Sequence, residues 1–134
     1  MRGDDIAGRL LDLAIACLQI ASQIELTPAG KHMARQLIRC STSVGASYEE
    51  ARSAESRADF IHKIGIAAKE ARETGWWLRI VERARLTPHG DIPRWLDEAN
   101  QLLAVLIASA RTARRRAGQR VGERPRTEAV TRPD

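Results

Sequence analysis

Residues 6–24 read IAGRLLDLAIACLQIASQI, and this stretch decides the fold class. Ile6, Leu10, Leu13, Cys17, Ile20 and Ile24 follow one another at intervals of 4, 3, 4, 3 and 4. An α-helix turns once in about 3.6 residues, so this alternation lays six apolar side chains along one line of one face. Leu11, Ile15 and Leu18 fall beside that line and widen the apolar surface beyond a single seam. The spacing predicts a helix over about 4–25, opened by Asp4 or Asp5 at the end where the helix dipole favours acids.

The same logic extends through the chain. Thr27-Pro28 stops the first helix and opens the next, with Thr as cap and Pro at the first helical position. A second helix over 28–54 carries Met33, Leu37, Cys40, Val44, Ser47 and Ala51 at the same 4, 3, 4, 3, 4 spacing. Its middle, Ser41 to Ser47, is small or polar, which favours close approach by a neighbouring helix. A third helix starts at Ser56, with Asp59 in the place of a capping box, and ends near Leu86 before Thr87-Pro88-His89-Gly90. Phe60, Ile64, Ala67, Ala71, Leu78 and Val81 line its inner face, and Gly75 is expected beneath a large neighbour. A fourth helix, from Ile92 or Pro93 to Arg116, carries Leu96, Ala99, Leu103, Leu106 and Ala110, with Gly118 as its stop.

β-Branched and aromatic residues show no two-residue alternation, which argues against strands. Four amphipathic helices with short connections predict an all-α, up-down-up-down antiparallel four-helix bundle. It occupies residues 1–117, and residues 118–134 are expected to be an Arg-rich disordered tail. Leu11, Ile15, Leu18, Ile80, Leu102 and Val105 lie off the main lines. That apolar excess predicts a homo-oligomer.

Charge is placed unevenly. Residues 111–134 hold eight arginines and three acids, which accounts for the whole net charge of +5. Residues 1–110 hold fourteen basic and fourteen acidic residues. The chain opens on a polar, acidic segment unlike a signal peptide, and its longest apolar run, 102–108, is too short to span a bilayer. A soluble, cytoplasmic protein is the expectation, with no membrane partner.

Few residues invite catalytic chemistry. Two cysteines, Cys17 and Cys40, on heptad lines of neighbouring helices read as core packing, not a redox pair. His32, His62 and His89 lie on separate elements, and no Glu-x-x-His pair supports a metal, so neither metal nor cofactor is expected. Ser41, Ser43 and Ser47 lack a partnered base. No Gly-rich loop links a strand to a helix, so nucleotide phosphates have no cradle. The expectation is a protein that is not an enzyme.

Two groups of residues point to partners. Glu49, Lys69, Glu70, Arg72 and Glu73 form a dense charged set suited to bridging helices or subunits. Trp76 and Trp77 lie about 100° apart on a helix, so one is expected in the core and the other at an oligomer contact. These seven residues are the candidate oligomer interface. Base stacking on the tryptophans finds little support in the run of sequence around them. Arg111, Arg114, Arg115, Arg116 and Arg120 are instead the candidate contacts to RNA or DNA phosphates.

Residues 35–51, RQLIRCSTSVGASYEEA, resemble the "QLxRSxxSIGANxxEA" segment of the bacterial 23S ribosomal RNA intervening-sequence proteins, a four-helix-bundle family. Residues 59–79, DFIHKIGIAAKEARETGWWLR, preceded by Ser56, are similar to that family's "SxxDFIxKxxIAxKEAxExxYWLRL" segment. The resemblance spans about 5–112 and leaves out the Arg-rich tail. Ser47 stands where the family has Asn and is too short to copy an Asn contact. Trp76 stands where it has Tyr, and Gly75 replaces a usual small or polar residue. The resemblance implies a homopentamer with no established activity, and more distantly the pentameric accessory protein of diversity-generating retroelements, which binds a reverse transcriptase and nucleic acid. The expected function is a non-enzymatic scaffold or interaction module that partners itself. The second expectation is an accessory protein that binds RNA, DNA or a reverse-transcriptase complex.

Overall fold

A computed structural model describes residues 2–88 and 91–122, with side chains up to residue 119. Among the described residues there are four helices and no strand: α1 (Gly3–Ile24), α2 (Pro28–Arg52), α3 (Arg57–Arg83) and α4 (Ile92–Gly122). Each helix lies against the next in sequence, while α1 and α4 meet only sparsely.

In α1 all six residues of the predicted line are buried, together with Ala16 and Ala21. Asp5 does not cap the helix itself; from the third helical position its carboxylate accepts the Arg2 backbone N–H at 3.2 Å. The Thr27 hydroxyl at the start of α2 accepts the Gly30 N–H at 3.0 Å, satisfying one of the orphan donors of a first turn. At α3, Ser56 Oγ accepts the Asp59 N–H at 3.0 Å.

The buried face of α2 differs from the predicted line at both ends. Ala34 and Tyr48 are buried where Met33 and Ser47 were expected, and Ser41 joins Cys40 in the core. The cause is that α2 packs against both α1 and α3, so it buries a broad face and not one seam. The small, polar run 41–47 stays helical. Thr42 Oγ1 bonds the Ile38 carbonyl and Ser43 Oγ the Arg39 carbonyl, both at 2.7 Å, so these hydroxyls find partners within the helix.

α3 closes three residues earlier than Leu86. Arg85 takes a left-handed conformation at φ 51°, and the Leu86 N–H reaches back to the Val81 carbonyl at 3.1 Å. The Arg85 N–H meets the Glu82 carbonyl at 3.1 Å, completing a Schellman-type stop. Gly75 is buried opposite Leu96 and Asn100 of α4, as its expected large neighbour requires. A methyl there would still lie 3.6 Å or more from both, so the approach does not demand glycine.

α4 buries Ile92, Ala99, Leu102, Leu106, Ala110 and Ala113. Leu102, expected off the main line, is fully enclosed, while Leu96 and Leu103 are only partly covered. The helix also passes through Gly118 and ends at Gly122. The Arg, Ala and Gln residues around Gly118 are strong helix formers and outweigh the roughly 1 kcal/mol cost of one glycine. Residues 123–134 of the expected tail lie outside the described residues.

Candidate functional site

The outer side of α1 carries the most apolar exposed surface. Leu11, Ile15 and Leu18 are 62%, 46% and 42% exposed, at intervals of four and three on one helical face. Beside this ridge runs a shallow trough between α1 and α2, floored by Ala7, Gly8, Thr42, Gly45 and Ala46. No side chain lies within 4 Å of where a Cβ on Gly8 would stand. The ridge exists because α1 is apolar over more than the face that α2 and α4 cover. The trough exists because α2 offers small residues from Thr42 to Ala46.

The charged residues expected at an interface divide between two settings. Glu70 and Glu73 of α3 both bind Arg39 of α2, the Glu70 contact at 3.4 Å. Trp77 is half-buried against the core and its indole N–H donates to Glu73 at 3.2 Å. Its ring meets His32 edge-on at 5.9 Å. Glu49 pairs with Arg52 of its own helix at 3.1 Å, and Arg52 also holds Asp4 at 2.5 Å. Such exposed pairs contribute little to stability and serve chiefly to fix register. Lys69 and Arg72 face outward and make no ion pair among the described residues, and Trp76 is 55% exposed. Trp76 and Trp77 therefore separate as their 100° offset predicts, one outward and one inward.

Arg111, Arg114, Arg115 and Arg116 are exposed on the last turns of α4, and the Arg120 side chain lies outside the described residues. Arg111 and Arg115 share a face with Ala104, Ile107 and Ala108. Arg116 lines a second cleft, where Ile6 of α1, Phe60 of α3 and Val105 and Thr112 of α4 come together.

The core holds two thiols, each beside a hydroxyl. Cys17 is fully buried near Ser41, and burial pushes its thiol up to about 12 while the Ser41 hydroxyl pulls the other way. Burial also raises Cys40, with the Thr74 hydroxyl opposing it. Both thiols therefore stay protonated at neutral pH, and a protonated thiol is a poor nucleophile. The Ser41 hydroxyl finds no partner among the described residues stronger than that thiol. Removing it takes a buried polar atom out of the core at no loss of a strong bond. Ser41→Ala is expected to raise stability by up to about 1 kcal/mol in urea denaturation. A loss of that size would show that the hydroxyl makes a full hydrogen bond.

Among the described residues, no three His, Cys, Asp or Glu side chains converge as metal ligands, and no helix is long and apolar enough to cross a membrane. His62 is exposed on α3, and His89 lies outside the described residues.

A sequence profile of the 23S rRNA-intervening sequence proteins matches residues 5–108. A crystal structure from Bacteroides thetaiotaomicron, of a protein with unknown function from the S23 ribosomal protein family, is similar at 29% identity and a TM-score of 0.75. The similarity covers 83% of this chain and 99% of that one. No curated protein matches the chain.

Proposed function

Because the chain belongs to the 23S rRNA-intervening sequence protein family, we propose that it is a self-associating interaction module with no catalytic chemistry of its own. In this reading it is an up-down-up-down antiparallel bundle that assembles with copies of itself, a pentamer being the expected size. The antiparallel order is supported by contacts that run in opposite directions along neighbours. The end of α2 reaches the start of α1 through Arg52–Asp4, and Lys63 early in α3 meets Glu50 late in α2 at 3.0 Å.

The observation that carries self-association is the α1 ridge beside the α1–α2 trough. Leu11, Ile15 and Leu18 are each already about half buried, so covering the exposed remainder is worth about 1 kcal/mol apiece. The trough is walled by these same three residues and floored by small ones, so ridge and trough form one apolar patch on which a helix of a second copy can pack. A different face of a second copy seated on this patch forms a head-to-tail contact, which closes into a ring when the rotation between copies permits.

The double change Leu11→Glu and Ile15→Glu places two charges on the ridge. It is expected to yield a monomer in sedimentation velocity with helical circular dichroism unchanged. An unaltered sedimentation coefficient would place the interface on another face. A second reading, that the chain binds nucleic acid through Arg111, Arg114, Arg115 and Arg116, is favoured by their shared exposure and freedom from ion pairs among the described residues. Steep salt dependence of RNA or DNA binding, lost on replacing these arginines by alanine, would support it.

A further inference from the structure

Lys69, Arg72, Trp76, Arg79 and Arg83 follow one another along α3 at intervals of 3, 4, 3 and 4. At about 100° per residue they fall within an arc of roughly 80° on the side turned away from the core. All five are exposed, and none of the four cations makes an ion pair among the described residues. Trp76 stands at the centre of this stripe with 55% of its surface open, a large exposure for the most costly side chain to leave in water. With Arg79 and Arg83 it borders a shallow groove that also takes in Ile80 and Ala84.

No acid lies within the stripe. The nearest acid of α3 by angle is Glu73, and its carboxylate is occupied by Arg39 and by the Trp77 indole N–H. Glu70 is likewise turned to Arg39. The α2–α3 ion pairs therefore hold Glu70 and Glu73 to one flank, Glu82 falls outside the stripe on the other, and the outer face between them is positive.

We propose that this face of α3 is a binding site for single-stranded nucleic acid, with Trp76 as a stacking platform for a base and Lys69, Arg72, Arg79 and Arg83 as phosphate contacts. The chemistry selects this occupant in two steps. Four unpaired cations in a row call for a polyanion, because each phosphate neutralised releases bound counterions. An indole face between the cations calls for a polyanion that also carries flat rings, and every base offers one. A duplex keeps its bases stacked on each other and presents no free ring face to Trp76, so a single strand fits better. From Lys69 to Arg83 the helix rises about 21 Å, the length of about six stacked nucleotides at 3.4 Å each. The site needs no second copy of the chain and is separate from the α4 arginines, so it stands apart from both readings of the preceding subsection.

The test titrates the full chain with oligouridylate and oligothymidylate of about 20 nucleotides, and with a duplex of the same length, at about 50 and 200 mM salt. Binding is followed by fluorescence anisotropy and by quenching of tryptophan emission. The expected result is single-strand binding that quenches emission, weakens with salt and exceeds duplex binding. Trp76→Ala is expected to weaken it about tenfold with the salt slope retained, and Trp76→Phe to restore most of the loss. Arg79→Glu with Arg83→Glu is expected to weaken binding and flatten the salt slope. Binding to RNA alone, DNA alone or both supports the site equally. Three results would overturn it: no single-strand binding at the lower salt, equal affinity in the Trp76→Ala protein, or loss only when Arg114 and Arg115 become alanine. A Trp76→Ala protein that falls apart in sizing while keeping its oligonucleotide affinity would also overturn it, by assigning the face to a second copy.

Discussion

Gly30→Ala is expected to destabilise the fold by about 3 kcal/mol, the upper part of the range for overpacking a rigid site. Gly30 lies in the first turn of α2, where its N–H is held by the Thr27 hydroxyl. A Cβ on it would overlap the Ile24 carbonyl oxygen far inside van der Waals contact and lie 2.9 Å from the carbonyl carbon. Those atoms belong to the last turn of α1, so neither neighbour is a flexible side chain that can swing aside. Relief requires the α1–α2 connection to open, which disturbs the Thr27 cap and the burial of Ile24 together. Gly65→Ala is the matched control. No side chain lies within 4 Å of a Cβ there, and the alanine is expected to gain up to about 1 kcal/mol from helix propensity alone. Urea denaturation of the two variants measures the contrast. Equal stabilities would show that the α1–α2 turn yields freely.

The second large effect is alkaline loss of stability. In the folded chain the Cys17 thiol is raised from 9.0 to about 12 by burial. In the unfolded chain it titrates near its ordinary value. Between those two pH values the native state holds a proton that the unfolded state has lost, so raising the pH favours unfolding. The contribution is fully present below about pH 9 and disappears as pH rises toward 12. The difference sets an upper limit of about 4 kcal/mol on the loss, at about 1.4 kcal/mol per pH unit. Cys40 and Tyr48 are raised in the same direction by burial and add to it. Chemical denaturation at pH 8, 9, 10 and 11 is expected to show a falling midpoint, shallower in Cys17→Ala. A flat profile in the native chain would mean that the thiol reaches solvent.

Much of the fold is legible in the sequence, and the exceptions have physical causes. The α1 line is correct at every position, with Ala16 and Ala21 buried beside it. The α2 line slips by one residue because that helix packs closely against both α1 and α3, so Tyr48 goes inside, and on α4 Leu102 is enclosed where Leu103 was expected. Gly118 reads as a stop in isolation, but its neighbours carry the helix through it. The surfaces are harder. Leu11, Ile15 and Leu18 are recognisable as surplus because they exceed what one seam can cover.

The α3 stripe is hidden in linear order. Lys69, Arg72 and Arg79 alternate with Glu70 and Glu73, so the segment looks charge-balanced. Helical angle sorts those signs onto different sides, and the Arg39 contacts then bind the acids to α2. The signal available in the sequence was the spacing of cations at seven and four before and three and seven after Trp76.

Self-association can be tested without any variant. Light scattering coupled to size exclusion, at micromolar protein, gives an absolute mass for the native chain. A mass near five times the 14.9 kDa subunit is expected, and any stable multiple would sustain self-association. A single species at the subunit mass across that concentration range would contradict it.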